Sequence, residues 1–336
     1  GWKFDHTGAC TEQPFEETVH PDGRFKEKCG IAGYQVQELA GLIFAYMGPQ
    51  PAPLLPRWEP LAWENVVRDI AMTELPCNWL QCQENSVDPT HSEWLHGYFG
   101  SYVRTLPGRG TEPAPNQLPR IGRRHQKIGF DVFDYGIIKR RVQEGGSEED
   151  EDWAHGHPIL FPHILLVGDQ FQATMQFRVP IDDTHTLHVS QYIFRPAPGM
   201  EAPPQTSVPV RWVPLFDESG SWVVDYTFNQ DYMAWSQQGP IAERHREKLG
   251  EGDKGIILYR RLLRQQLDAV LAGRDPMNTF RDEAKNRMIA LPLEKVKRGI
   301  NGRPQAYVPG EAGYSVDAPQ IEATYATWDK VGTGTS

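Results

Sequence analysis

Glu84-Asn-Ser-Val-Asp88-Pro-Thr-His91-Ser-Glu-Trp-Leu-His96 is the stretch on which the reading of this chain turns. It holds two imidazoles and three carboxylates (Glu84, Asp88, Glu93), with Trp79, Trp94, Tyr98 and Phe99 close by. Neutral imidazole is the commonest side-chain ligand for Fe(II), Zn(II) and similar ions, so His91 and His96 form a candidate metal pair. Their spacing narrows the choice. The zinc-protease pattern sets its two histidines four apart; here they are five apart. On a regular α-helix that spacing leaves about 140° between the side chains, too far round to face one ion. A π-bulge has an i to i+5 repeat and brings them together, so a shared metal predicts a locally widened helix at this point. The plainer alternative is two unrelated histidines on an aromatic helix.

The rest of the chain sets the class. Its 336 residues carry 34 Lys+Arg against 44 Asp+Glu, a net charge of −10. That balance excludes a nucleic-acid binder, whose affinity rests on cationic neutralisation of phosphates. Hydrophobic residues make up 39%, with 10 Trp, 12 Tyr and 14 Phe, enough for a folded core. With 28 Pro and 31 Gly the chain turns often. No run reaches the ~18 uninterrupted apolar residues of a membrane span, so no membrane association is expected. Four Cys are too few for a disulfide scaffold, which makes a cytoplasmic location the expectation.

Upstream of the opening stretch, residues 1–47 read as short strands and turns, with turn signals at Asp5-His6-Thr7-Gly8 and Pro21-Asp22-Gly23. Gly41-Leu-Ile-Phe-Ala-Tyr-Met47 is a β-type run that stops at the stiff Gly48-Pro-Gln-Pro-Ala-Pro53, where a domain boundary is placed. Downstream, 105–120 is a Pro-rich loop and Glu148–Asp152 an acidic surface loop. From 159 to 226 the pattern is β. Strands are expected at 162–167, 170–179 and 184–194, with further candidates at Arg211-Trp-Val and Trp222-Val-Val. Phe171, Ala173, Met175 and Phe177 share one face, as do Leu187, Val189 and Ile193, so an antiparallel meander with one covered face follows. Arg178 then falls in a cross-strand surface position, although an arginine there could hold a substrate carboxylate. Ile256, Leu258, Leu262, Leu263, Leu267 and Val270 recur at helical spacing, with Asp253 as N-cap and Gly273 as the stop.

Taken together, Glu84-x3-Asp88-x2-His91-x4-His96 resembles the mononuclear-iron motif of the Rieske non-haem iron aromatic-ring oxygenases, D/E-x3-D-x2-H-x4-H, at all four positions. Gly1-Trp2-Lys3-Phe4-Asp5 is similar to the segment that follows the second cluster half-motif of that family, C-x2-H-G-W-x-F-D. Gly41–Pro49 resembles the last strand of its Rieske domain. The nearest type is that of the phthalate 4,5-dioxygenases, which includes aromatic O-demethylases of the dehydrodivanillate kind.

The resemblance implies an α+β chain: residues 1–48 as the C-terminal remnant of a Rieske [2Fe–2S] domain, 49–330 as a helix-grip catalytic domain, and 331–336 as a disordered tail. His91 and His96 become two ligands of a 2-His-1-carboxylate site for mononuclear Fe(II). Asp88 becomes the bridging carboxylate towards a neighbouring subunit, Asn85 a polar side chain near iron, and Glu84 a structural group. Among the candidates Asp225, Asp231 and Asp253, Asp231 fits best as third ligand, because Gln230-Asp231-Tyr-Met-Ala234 resembles the family's helix start. The cluster ligands are expected upstream of Gly1, since Cys10, Cys29, Cys77 and Cys82 match none of them; Cys77 and Cys82 read as small buried side chains. The implied function is dioxygen activation to hydroxylate or O-demethylate a carboxylated aromatic substrate. Its partners would be O2, a flavin and iron–sulfur reductase as electron donor, and two further copies in a homotrimer. Two rivals stay open: a zinc hydrolase on the same His/His/Asp site, and a helix-grip module that binds a ligand without catalysis.

Overall fold

The computed structural model describes residues 1–106, 122–293 and 318–330. Two compact units emerge. The first comprises Gly1–Arg57 with Phe280–Met288; the second comprises Trp58–Thr279 with the described chain from Ile289 onward.

In the first unit, β1 (Lys3–Phe4) pairs with β2 (Cys10–Glu12). The turn between them is held by Asp5, whose Oδ1 accepts from the main-chain N–H of Thr7 (2.8 Å) and of Ala9 (3.1 Å). β3 (Gln35–Leu39) and β4 (Leu42–Tyr46) form a hairpin. Its two-residue turn, Ala40-Gly41, has φ values of 58° and 83°, the twist a tight hairpin requires. The apolar run that starts at Gly41 is β4.

The second unit is organised by one eight-stranded sheet. Its strands are β5 (Val67–Leu75), β6 (His125–Phe133), β7 (Gly136–Gln143), β8 (His157–Leu160), β9 (Ile164–Gly168), β10 (Gln172–Pro180), β11 (Thr186–Phe194) and β12 (Val210–Trp212). The order is β12-β5-β11-β10-β9-β8-β7-β6, antiparallel throughout except for β12 on β5. The sheet is larger than the meander read from 159–226. β5 carries no clean period-2 signal because it is buried on both faces. Conversely, Trp222–Val224 forms no strand, only a bridge from Trp222 to Phe216.

β10 corrects the expectation of a single covered face. Seven of its nine residues are buried in succession, so both faces are covered. Register decides which face meets the helices. Ile137 pairs with Ile159, Ile159 with Leu165, Leu165 with Gln176, and Gln176 with Ser190. Side chains directly opposite one another share a face. Ile137, Ile159 and Leu165 pack against Tyr259 and Leu262 of the helix Lys254–Leu271. The helix-facing side of β10 is therefore the polar row that includes Gln176 and Arg178, while Ala173, Met175 and Phe177 point away from the helices.

The Lys254–Leu271 helix ends as expected, with Gly273 in the left-handed region at φ 69°. Asp253 precedes it, but its carboxylate accepts from the N–H of Gly250 (2.7 Å) instead of capping the helix. The acidic 148–152 segment is only partly solvated: Asp152 is tied to His157 Nε2 at 3.1 Å and faces Arg141 Nε at 3.6 Å. The Pro-rich segment beyond Leu106 and the tail at 331–336 lie outside the described residues. No helix among the described residues is long and apolar enough to cross a membrane.

Candidate metal centre

The opening stretch folds as helix, break, helix. Asn78 caps the helix Trp79–Ser86 by accepting from the N–H of Leu80 (3.0 Å). Pro89 cannot donate to a continuing ladder, and the chain turns at Asp88, whose Oδ1 accepts from Thr90 N–H (2.8 Å) and Thr90 O–H (2.7 Å). Ser92–Phe99 then forms a π-helix. This is the widened helix that the five-residue spacing demands of a shared site, and it brings His91 and His96 to a centroid separation of 5.2 Å with rings nearly perpendicular, at 84°.

A second helix, Thr227–Ser236, supplies the carboxylate. Asp231 Oδ1 lies 3.3 Å from His96 Nε2 and 3.9 Å from His91 Nε2. One ligand atom from each of the three residues falls within 4.8 Å of the others. Asp225 is exposed on the preceding loop, and Asp253, which lines the same cavity as His91, has its carboxylate turned to the N–H of Gly250, so neither joins the group.

Both rings are oriented through their other nitrogen. His91 Nδ1 is 2.5 Å from the main-chain oxygen of Asp88. His96 Nδ1 is 3.0 Å from Gln230 Oε1, and the Gln230 amide is itself fixed by donating to Val224 O (3.0 Å). With acceptors at both Nδ1 atoms, the protons sit there and the Nε2 lone pairs face Asp231. Gly100 makes room for this support: a Cβ there would stand 3.3 Å from Gln230 Nε2.

Electrostatics agree with a metal site. Burial pulls the His91 imidazole down to about 4, outweighing the opposite pull of Asp231. Burial works to raise the Asp231 carboxyl, yet the neighbouring His96 and His91 hold it below the ordinary carboxylate range. The site thus offers a neutral His91 imidazole, the His96 imidazole beside it and one carboxylate, a donor set that suits a divalent ion. Asp231 Oδ1 is also buried without any hydrogen bond, which a buried carboxylate oxygen rarely tolerates unless something else binds it. Two imidazoles and one carboxylate with open positions suit Fe(II) in an oxygenase. The residues fit such an ion.

The other sequence candidates are placed as follows. The Asp88 carboxylate is 3.9 Å from His91 Nδ1, so its main-chain oxygen, not its side chain, receives the ring. Asn85 and Asp88 line a cavity of about 730 Å³ together with His91, Trp94 and Arg260. Glu84 is structural: it takes Arg260 Nε at 2.6 Å and Arg244 Nη2 at 3.1 Å. Cys77 and Cys82 are fully buried thiols with sulfurs 3.6 Å apart. Arg178 is not at the surface; it is 1% exposed and faces the helices. Gln230 was not legible as a site residue, although it adjoins Asp231 in sequence. Nothing local in the sequence marks Lys139 or His188, both buried polar residues of the sheet.

No family model matches the chain. It is 43% identical over 292 residues to the oxygenase subunit of 5,5'-dehydrodivanillate O-demethylase from Sphingobium sp. strain SYK-6, covering 87% of this chain and 65% of that one. It is 27% identical over 326 residues to the oxygenase subunit of phthalate 4,5-dioxygenase from Pseudomonas putida, covering 87% and 71%. The fold is shared with Pseudomonas putida CBB5 NdmA, solved with caffeine, at a TM-score of 0.53 and 16% identity over 89% of this chain and 77% of that one. The chain therefore spans just under two thirds of the length of the O-demethylase subunit it matches.

Proposed function

The chain is homologous to the oxygenase subunits of the Rieske non-haem iron oxygenases, and from that premise we propose that it is the catalytic part of one. It would act as a terminal oxygenase component that uses dioxygen at a mononuclear Fe(II) to hydroxylate or O-demethylate a carboxylated aromatic substrate. The observation that carries this reading is the meeting of His91, His96 and Asp231 across a π-helix and a second helix.

His91, His96 and Asp231 would hold iron on one side and leave its remaining positions open. Iron so bound supplies the site for reductive activation of dioxygen. The protein's own part is positional. Gln230 and the Asp88 carbonyl lock both imidazoles in the tautomer that presents Nε2. Burial keeps the His91 ring neutral. Asp88, beside His91 and open to the cavity, is the residue we assign to the contact with the electron-donating neighbour, with Asn85 as a second polar wall.

In the same reading, residues 1–48 end a Rieske domain whose [2Fe–2S] ligands lie outside this sequence. Residues 49–330 are the catalytic domain of a cytoplasmic homotrimer served by a flavin and iron–sulfur reductase. The test is oxygen uptake by the full-length protein with its reductase, against a panel of methoxylated aromatic acids. Uptake coupled to formaldehyde, or to a hydroxylated product, is expected. Zinc in place of iron, with hydrolysis and no uptake, would replace this reading with the hydrolase.

A further inference from the structure

Two cations are buried on the sheet face turned to the helices that carry the triad, and among the described residues neither meets a carboxylate. Arg178 of β10 is 1% exposed. Its Nη1 donates to Gln176 O (3.1 Å) and its Nη2 to Gln176 Oε1 (2.9 Å). Its guanidinium lies 5.5 Å from the centroid of the Trp235 ring, one helical turn beyond Asp231. Its Nε is buried with no acceptor. Lys139 of β7 is 8% exposed and shares this face, two residues from Ile137, but forms no hydrogen bond or ion pair among the described residues.

His188 adds a third polar group. It is the register partner of Arg178 on the adjacent strand. Its Nδ1 meets the hydroxyl of Tyr232 at 3.0 Å, a phenol that burial keeps protonated. The other ring nitrogen, Nε2, is buried and has no hydrogen-bond partner. Arg178 Nε–H and His188 Nε2 are therefore two unsatisfied polar groups on neighbouring strands, beside a full positive charge.

A buried cation without a counter-ion is costly. Both cations keep their charge at neutral pH, since burial lowers Arg178 only to about 10 and Lys139 only to about 8. The carboxylates nearest them are already engaged: Asp88 accepts from Thr90, and Asp231 faces the two imidazoles. Both lie near the triad: Arg178 sits over Trp235 of the Asp231 helix, and Arg141, two residues from Lys139 on the same strand, donates to Ser92 beside His91 (3.2 Å).

We propose that Arg178, with the His188 imidazole beside it, and Lys139 anchor the carboxylate groups of the aromatic substrate and so hold its ring against the His91–His96–Asp231 centre. This rests on the oxygenase reading above and adds the residues that select an acid. The competing role is a structural one, with Arg178 merely propping Trp235.

The test is equilibrium binding to the full-length, metal-loaded protein without oxygen, with 5,5'-dehydrodivanillate and its dimethyl ester as probes. The wild type is expected to bind the acid far more tightly than the ester. Arg178→Gln and Lys139→Gln should each weaken the acid by roughly ten- to a hundredfold and leave the ester within about threefold. Metal content, read in parallel, should be unchanged. If Arg178→Gln does not fold, Lys139→Gln reads the same expectation at the second cation. Either folded variant keeping wild-type affinity for the acid overturns the pair, as does a wild type that binds acid and ester alike. Oxygen uptake with uncharged aromatic ethers only would uphold the oxygenase reading and overturn this inference.

Discussion

Gln230 stands one residue before the carboxylate of the triad and acts on a different atom. Its Oε1 takes the Nδ1 proton of His96, a residue 134 positions away, and its own amide is held by Val224 O. An imidazole left free to turn about its Cβ–Cγ bond would present Nε2 only part of the time. Gln230→Leu is therefore expected to lower metal affinity by about 10- to 100-fold, measured by competition with a chelator. Unchanged affinity would show that packing alone orients the ring. The same residue marks a limit of sequence reading. His91 and His96 advertise themselves by residue type and spacing within one short stretch. The role of Gln230 exists only once two helices are brought together. Arg178 failed for a related reason: its side chain was assigned from an alternation that presumed one wet face.

At the scale of elements, spacing was more informative than propensity. Five residues between two histidines are compatible with one shared ion only if the helix is widened, and Ser92–Phe99 is a π-helix. Strand β10 shows the opposite case. Its apolar row and its polar row are both buried, so period-2 alternation no longer identifies the side facing the helices. Helix crossing supplies a sharper test. Gly255 sits in the first turn of the Lys254–Leu271 helix, where glycine costs helix stability relative to alanine. It is tolerated because a Cβ there would stand 2.2 Å from Val87 O and 2.5 Å from the Phe130 ring. Gly255→Ala should therefore destabilise the protein by about 1–3 kcal/mol in urea unfolding, despite its better helix propensity. A gain in stability would mean that the crossing can relax at little cost.

Across the whole molecule, the legible parts are those with local signatures. The β4 run, strands β9 to β11 and the Lys254–Leu271 helix could be drawn from pattern alone. Strands β5, β6 and β7 could not, and they complete the sheet whose polar face meets the site helices. That face carries Lys139 on β7, beside Arg178 on β10 and His188 on β11, whose burial depends on the helices that cover the sheet. The central claim is narrower than the fold: His91, His96 and Asp231 together hold one mononuclear iron. Metal analysis of the full-length protein and its variants tests it most directly. The account expects one iron per chain beyond any held in a cluster, lost in His91→Ala, His96→Ala and Asp231→Ala and kept in Asp253→Ala. Iron retained in Asp231→Ala and lost in Asp253→Ala would contradict it.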